Sequence, residues 1–484
     1  MPWQAWLARR KSEKVVVLTK LGNAGGGKGL HFWLLSKEPR AGRLAMSLQT
    51  PTKIRTLQRK LYCKAKAEPE FRFYLLYDKV WREDILAHAW SLVKANGGAS
   101  GVDDVTFAGI EAAGLGNWLA GLRAELKGRT YRPQPVRRVL IPKPGGGARP
   151  LGIPTIRDRV VQTAVKLVVE PIFEADLEPN AYGYRPARSA ADAIKAVHEL
   201  LCQGYTDVVD ADLSKYFDTI PHAELMQCVA RRIVDRNILG LIKMWLKAPV
   251  EERDRDGTRR MTGGSDSSCG TPQGGVISPL LANLYMDRFL KYWRLTGRTA
   301  ALSAHVVTYA DDFVIVSRGH AAEALAWTKV VMGKLGLTLN EAKTSVRDAR
   351  AEQFNFLGYA FGPHWRWKTG QQYLGASPSK KSVARLKDKV ATLLGRSNTA
   401  PWPEVREQLN STLRGWSAYF SYGARWSAYR AIDNHVLTRV RKFLGRRHKL
   451  RGRGTRRFPV EAVNGHLGVY HLRFAHYRAQ PKAL

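Results

Sequence analysis

The stretch His305-Val306-Val307-Thr308-Tyr309-Ala310-Asp311-Asp312-Phe313-Val314-Ile315-Val316 decides the fold. Its flanks are rich in β-branched and aromatic residues, which favour strands, and two adjacent acids interrupt them. The expectation is a hairpin that presents two carboxylates at its tight turn. Paired acids on a turn often do no more than solvate a loop. A second acidic strand, Asp207-Val208-Val209-Asp210-Ala211-Asp212-Leu213, changes the balance. Two-metal phosphoryl transfer needs carboxylates from separate elements converging on two Mg²⁺ ions roughly 3.5–4 Å apart. Asp212 and Asp311 meet that demand.

The composition narrows the partner. Lys and Arg number 78 against 41 acids, a net charge of +37, which implies a polyanion. With 14 Trp, 18 Tyr and 15 Phe, bases can be stacked as well as phosphates paired, so nucleic acid is favoured over a membrane surface. Residues 439–457 alone hold ten Lys and Arg. A hydrophobic content of 44% supports folded cores, and 484 residues suggest several structural units. The four cysteines, Cys63, Cys202, Cys228 and Cys269, form no Cys-x-x-Cys pair. A zinc ribbon and a disulfide scaffold are therefore not indicated, and reduced thiols in a cytoplasmic protein are expected, nucleoid-associated when on DNA. No apolar run approaches the roughly 18 residues of a membrane span, and no secretory leader is evident.

Residues 1–50 are basic and Gly-rich. Gly22-Asn23-Ala24-Gly25-Gly26-Gly27-Lys28 resembles a phosphate-cradling loop, but Gly29 stands where Ser or Thr would bind Mg²⁺. A flexible leader is expected, with Met46 as a possible alternative start. Helices are predicted near 156–177, 189–201, 221–233 and 321–335. Ser278-Pro279 predicts an N-cap and a first-turn proline. Beyond Ser377, helix follows helix. Val383, Leu386, Val390 and Leu393, then Val405, Leu409, Leu413, Trp416 and Phe420, recur at steps of three and four and read as bundle core.

Further motifs stand in a fixed order. They are Asp212-Leu213-Ser214-Lys215-Tyr216-Phe217-Asp218, Thr271-Pro272-Gln273-Gly274-Gly275, Tyr309-Ala310-Asp311-Asp312, Leu339-Asn340-Glu341-Ala342-Lys343-Thr344 and Phe356-Leu357-Gly358-Tyr359. Leu409-Asn410-Ser411-Thr412-Leu413-Arg414-Gly415-Trp416-Ser417-Ala418-Tyr419-Phe420 follows. Together they resemble bacterial group II intron-encoded proteins, which are reverse transcriptases with maturase activity. The resemblance runs from Gln49 to at least Arg457. It implies an α+β right-hand polymerase, with fingers and palm over 51–365. An α-helical thumb and maturase domain would follow over 375–440, and a basic DNA-binding tail over 441–484.

The resemblance also implies roles. Asp212, Asp311 and the Leu213 carbonyl would hold two Mg²⁺, with Asp312 a partial ligand or a neighbouring acceptor. Asp210 and Asp218 read instead as a strand-edge and a helix-cap acid. Lys143 and Arg149 flank Gly145-Gly146-Gly147 and would face the triphosphate of a dNTP. Phe217 would lie under the sugar and select deoxynucleotides; a core aromatic is the plainer alternative. Gln273 would touch the nascent pair, and Gly274 and Gly275 would let the backbone approach it. Lys343 is a candidate general acid or a surface lysine. Leu357 and Gly358 would grip the primer. Arg414, Trp416, Arg425, Arg446, Arg447 and Arg451 would contact RNA or DNA.

The implied function is RNA-directed DNA synthesis on an RNA template from a DNA or RNA primer. It is joined to binding of the parent intron RNA and of target DNA, in support of splicing and intron mobility. A reverse transcriptase recruited by its host for defence or repair, and a splicing cofactor with a vestigial polymerase, are the rival readings. The chain lacks the paired cysteines and histidines of the endonuclease found in many relatives. No second-strand cleavage is therefore expected, and target-primed synthesis would use an existing 3′ end. His466, His471 and His476 read as tail histidines. Asp104 stands where relatives commonly have Gly, which predicts an altered local turn.

Overall fold

The structure is a computed structural model that describes residues 49–142, 148–253, 256, 258–264, 266–366, 368–452 and 454–473. The glycine-rich run near Gly22, Met46, Lys143 and His476 lie outside the described residues. The strands are β1 (Val136–Pro142), β2 (Ala148–Ile153), β3 (Asp207–Asp212), β4 (Pro249–Arg253), β5 (Arg259–Gly263) and β6 (Ala304–Tyr309). They continue with β7 (Asp312–Ser317), β8 (Ser345–Asp348), β9 (Phe354–Phe356), β10 (Tyr359–Trp365) and β11 (Gln372–Pro378).

The central sheet has the order β6-β7-β3-β8, every neighbour antiparallel. Alternate side chains of a strand point to opposite faces, and here both faces are apolar. Val209, Ala211, Val306, Phe313 and Ile315 join one core, with the helices Ile156–Glu174 and Ser278–Leu295. Val208, Val307, Val314 and Val316 join a second core, with the helix Ala190–Cys202 and the C-terminal helices. The near-continuous apolar runs of β6 and β7 follow from this two-sided burial.

Local chemistry sets the helix ends. Ser189 and Asp192 form a reciprocal capping box, so the helix expected from Ser189 begins one residue later. The helix expected over 156–177 stops at Glu174, and that over 221–233 spans His222–Ala230. Ser278 is not an N-cap. It is the first helical residue, and its hydroxyl donates to the Pro272 carbonyl at 2.9 Å, while Pro279 does lie in the first turn.

Two hairpins were not anticipated. The β4–β5 pair extends the sheet β2-β1-β4-β5, in which β1 and β4 run parallel. Asp104 ties this sheet down: its carboxylate pairs with Arg137 at 3.2 Å and Arg253 at 3.4 Å. Its φ of +51° is the left-handed conformation that glycine would adopt freely. The second hairpin, β10–β11, forms with β9 a sheet that leads into the C-terminal helices.

Those helices are Lys380–Leu393, Trp402–Tyr419 and Trp426–Arg447. Leu386, Val390, Val405, Leu409, Leu413, Trp416 and Phe420 are buried along their shared seam. The boundary expected at 440/441 does not exist, because the last of these helices runs through it. Phe458, Val463, Val469 and Leu472 are buried in the same core, so the basic segment up to Arg473 is part of the helical unit. His471 is no solvated tail histidine: its Nδ1 lies 3.4 Å from the buried carboxylate of Asp433. Among the described residues, no helix is long and apolar enough to cross a membrane.

Candidate active site

The β6–β7 turn is tight, with Tyr309 paired to Asp312 and only Ala310 and Asp311 between them. Ala310 takes φ of +59°. A left-handed residue other than glycine costs on the order of 1 kcal/mol or more, and its surroundings must hold it. The segment Asn180–Tyr184 does so. Thr308 N donates to Asn180 O at 3.0 Å, and Tyr182 N donates to Thr308 O at 2.9 Å. Gly183 lies flat against the turn, where a Cβ would sit 2.3 Å from Ala310 N. The sequence reading missed this buttress, although Tyr182-Gly183-Tyr184-Arg185-Pro186 carried a signal in its aromatic-glycine-aromatic pattern.

The acids converge from two strands. Asp212, the last residue of β3, is the register partner of Asp312 on β7, and Asp311 sits beside them at 3% exposure. Asn340 N donates to Asp212 O at 2.8 Å, and Lys343 Nζ reaches Asp212 Oδ2 at 2.8 Å. Lys343 therefore belongs to the carboxylate cluster and is not an isolated surface lysine. Arg149, on β2, is also drawn in. Burial lowers its pKa, while the negative charges of Asp311, Asp218 and Asp312 raise it. The Tyr184 phenol is pushed well up by burial and then by the nearby Asp311, which keeps it neutral.

Asp210 is not an edge acid. It lies on β3 between β7 and β8, opposite Val314 and Ser345. Burial lifts its pKa to about 6, against the opposing pull of Arg347 and with a smaller push from Asp212. Asp218 is not a cap either, since it accepts from Gln273 Nε2 at 2.9 Å. Arg149 Nε donates to Gln273 Oε1 at 3.4 Å, so a chain Arg149–Gln273–Asp218 crosses the site.

Phe217 is 4% exposed and stands edge-on to Tyr216 at 5.7 Å, and its carbonyl accepts from Thr271 N at 2.7 Å. The close approach at Gly274 is to the chain itself. A Cβ there would lie 2.2 Å from the Gly152 carbonyl, and Gly152 N donates to Gln273 O at 2.6 Å. At Gly275 a Cβ would meet Ser278 Oγ at 2.7 Å. Docking of β2 onto this loop is thus enough to demand Gly274, while Gly275 is crowded by the Ser278 hydroxyl of the following helix. Leu357 and Gly358 form the turn between β9 and β10, with φ of +50° and +81°.

The proposed nucleic-acid contacts in the C-terminal helices divide. Trp416 is 7% exposed and packs on Phe420 at 4.5 Å and Tyr429 at 6.0 Å, so its ring is core and not a stacking platform. Arg446 donates to Leu394 O at 2.9 Å, and Arg447 to Asn398 O at 3.0 Å and Ala400 O at 2.7 Å, so both clamp a helix connection. Arg425 precedes the helix Trp426–Arg447 and donates to Ser421 O. Arg414 and Arg451 are exposed; Arg414 pairs loosely with Glu407 at 3.4 Å.

The donors around Asp212 suit a hard cation. Asp212, Asp311, Asp312 and the Leu213 carbonyl offer only oxygen, the preference of Mg²⁺, and the Lys343 ammonium already sits on one of these carboxylates. Among the described residues, no group of three or more His, Cys, Asp or Glu is gathered closely enough to hold an ion unaided. The fit is thus one of donor chemistry.

Residues 141–361 match the model of the reverse transcriptase (RNA-dependent DNA polymerase) family, and residues 383–458 match the group II intron, maturase-specific domain. Protein YkfC of Escherichia coli (strain K12) is 36% identical over 63% of this chain and 87% of its own length. The group II intron-encoded protein LtrA of Lactococcus lactis subsp. cremoris is 35% identical over 59% of this chain and 56% of its own. The match therefore spans little more than half of that relative. A solved telomerase from Candida albicans, in complex with a fragment of telomeric RNA, overlaps 65% of this chain and 62% of its own at a TM-score of 0.39, with 13% identity. That overlap is too loose for residue-by-residue comparison. The two domain matches, the alignment over 87% of YkfC and the likeness to LtrA lead to one conclusion: the chain belongs to the group II intron-encoded proteins that join a reverse transcriptase to a maturase domain.

Proposed function

We propose that the protein is an RNA-directed DNA polymerase that adds deoxynucleotides to a primer 3′ end, and that it also binds its parent intron RNA to assist splicing. The observation that carries this reading is the convergence of Asp212, Asp311 and Asp312 with Arg149 and Lys343. Asp212, Asp311, Asp312 and the Leu213 carbonyl would hold two Mg²⁺. Bound there, the ions would activate the attacking hydroxyl and neutralise the departing pyrophosphate.

The chain's own groups complete the site. Arg149 orients the triphosphate by charge-assisted hydrogen bonds. Lys343 holds a proton at Nζ within reach of the leaving oxygen. Gln273, fixed between Arg149 and Asp218, sets the floor for the incoming pair. Phe217 occupies the space a ribose 2′-hydroxyl would need. The Leu357–Gly358 turn places the primer, and the exposed cations Arg414 and Arg451 follow phosphates of the RNA.

Substituting Asp311→Asn in the full-length protein tests this. DNA synthesis on an RNA template should fall by about 10³-fold or more. Intron RNA affinity and splicing assistance should stay at wild-type levels. Wild-type synthesis by the variant overturns the polymerase assignment; joint loss of synthesis and RNA binding overturns the separation of the two activities.

A further inference from the structure

The turn Leu357-Gly358 is held from outside the reverse transcriptase region. A leucine at φ of +50° is strained, and such a residue persists only where its neighbours over-determine it. Gly358 O accepts from Ser382 Oγ at 2.9 Å and Ser379 N at 3.0 Å. Leu357 O accepts from the phenol of Tyr419 at 2.8 Å. In return, Tyr359 Oη donates to Tyr419 O at 2.9 Å, so the two tyrosines lock the turn and the helix end reciprocally. Tyr419 is the last residue of the helix Trp402–Tyr419, inside the segment that matches the maturase-specific domain.

This tyrosine also looks toward the catalytic hairpin. Its phenol is held far above its ordinary pKa, first by burial and then by the charges of Tyr309, Tyr359 and Asp312. It stays a neutral donor to Leu357 O.

We propose that Tyr419 is a positioning residue for DNA synthesis: through its hydrogen bond to Leu357 O, a maturase-domain helix sets the turn that places the primer end. The inference rests on the polymerase reading and on the primer-side role of Leu357 and Gly358. It means that the maturase domain completes the polymerase mechanically, beyond any RNA contact of its own.

The test is Tyr419→Phe in the full-length protein, which removes one hydroxyl and keeps the ring. Affinity for a DNA primer annealed to an RNA template is read by fluorescence anisotropy without dNTP. KM values for duplex and for dNTP are read from extension. We expect duplex Kd and KM to rise about threefold to tenfold, the effect of one lost hydrogen bond. The dNTP KM should not move, and the melting temperature should fall only slightly, as for one lost buried hydrogen bond. Wild-type duplex affinity overturns the proposal. So does a smaller active fraction with unchanged Kd and KM, which would assign Tyr419 to stability alone. Should the variant not fold, Tyr359→Phe, which frees the Tyr419 carbonyl, takes its place with the same outcomes. A wild-type protein that extends no primer would overturn the polymerase reading, while the anisotropy comparison would still decide the positioning of the turn.

Discussion

The carboxylate hairpin and the C-terminal helices use charge in opposite ways. At the hairpin, Asp311 is drawn out of water by an apolar sheet, and cations come from distant segments: Arg149 faces Asp311 and Asp312, and Lys343 pairs with the neighbouring Asp212. In the helices, several cations turn inward to close their own fold. Arg441 donates to Phe458 O at 2.7 Å, and Arg446 and Arg447 serve the carbonyls of Leu394, Asn398 and Ala400. A helix end leaves carbonyls without intrahelical partners, and an arginine nearby is a ready donor. Acids converging from separate strands therefore point to chemistry here more reliably than a run of arginines points to nucleic acid.

This contrast can be broken by substitution. After the loss expected at Asp311→Asn, the largest effect is expected at Gly183→Ala, whose new methyl would collide with Ala310 N. Misplacing the hairpin by about 1 Å should lower primer extension about 100-fold. Wild-type extension would mean that the buttress does not hold the turn. Next comes Trp416→Ala, which should cost about 3–5 kcal/mol in chemical denaturation, as for a large core aromatic. A loss of RNA affinity at wild-type stability would return Trp416 to the RNA surface. Arg414→Ala should do the reverse: stability changes by less than about 0.5 kcal/mol. The slope of log affinity against log salt should become shallower by roughly 0.7–0.9.

A further test sharpens the meaning of buried acid. The Asp210 carboxyl sits at about 6, against an ordinary 3.8, because burial disfavours its charge. The folded chain thus holds this proton more tightly than the unfolded chain. Its stabilising contribution is fully present below about pH 4 and is lost as pH rises through about 6. Relative to Asp210→Asn, the wild type should lose on the order of 2 kcal/mol across that window without metal, measured by denaturant midpoints. Parallel pH profiles would show that Asp210 is solvated and that Arg347 and Asp212, the charges facing it, balance.

The hairpin was legible because its chemistry is contiguous and its strands are uniformly apolar. Asp210 was misplaced because sequence does not reveal that β8 returns to the far side of β3. The β4–β5 hairpin carried its own mark, Asp256-Gly257, the strongest short-range hairpin signal, but charged strands hid it. In β10 and β11, Gly362, Pro363, Gly375 and Pro378 broke the alternation on which strand reading depends. Trp416 fell on the apolar stripe and among the RNA contacts alike; its place in the stripe decided its fate. The boundary at 440/441 failed because charge density was read as a change of domain, whereas the apolar residues at Phe458, Val463 and Leu472 continue the core.

The two-sided central sheet has a consequence for descent. Val208, Val307, Val314 and Val316 form one wall of the core that the C-terminal helices close. A lineage that abandoned DNA synthesis could not shed the polymerase half, because its splicing half would lose that wall. Such a lineage would keep the full-length gene and mutate a few acids instead. Its fossil record would be a chain with those valines intact and Asp212 or Asp311 replaced.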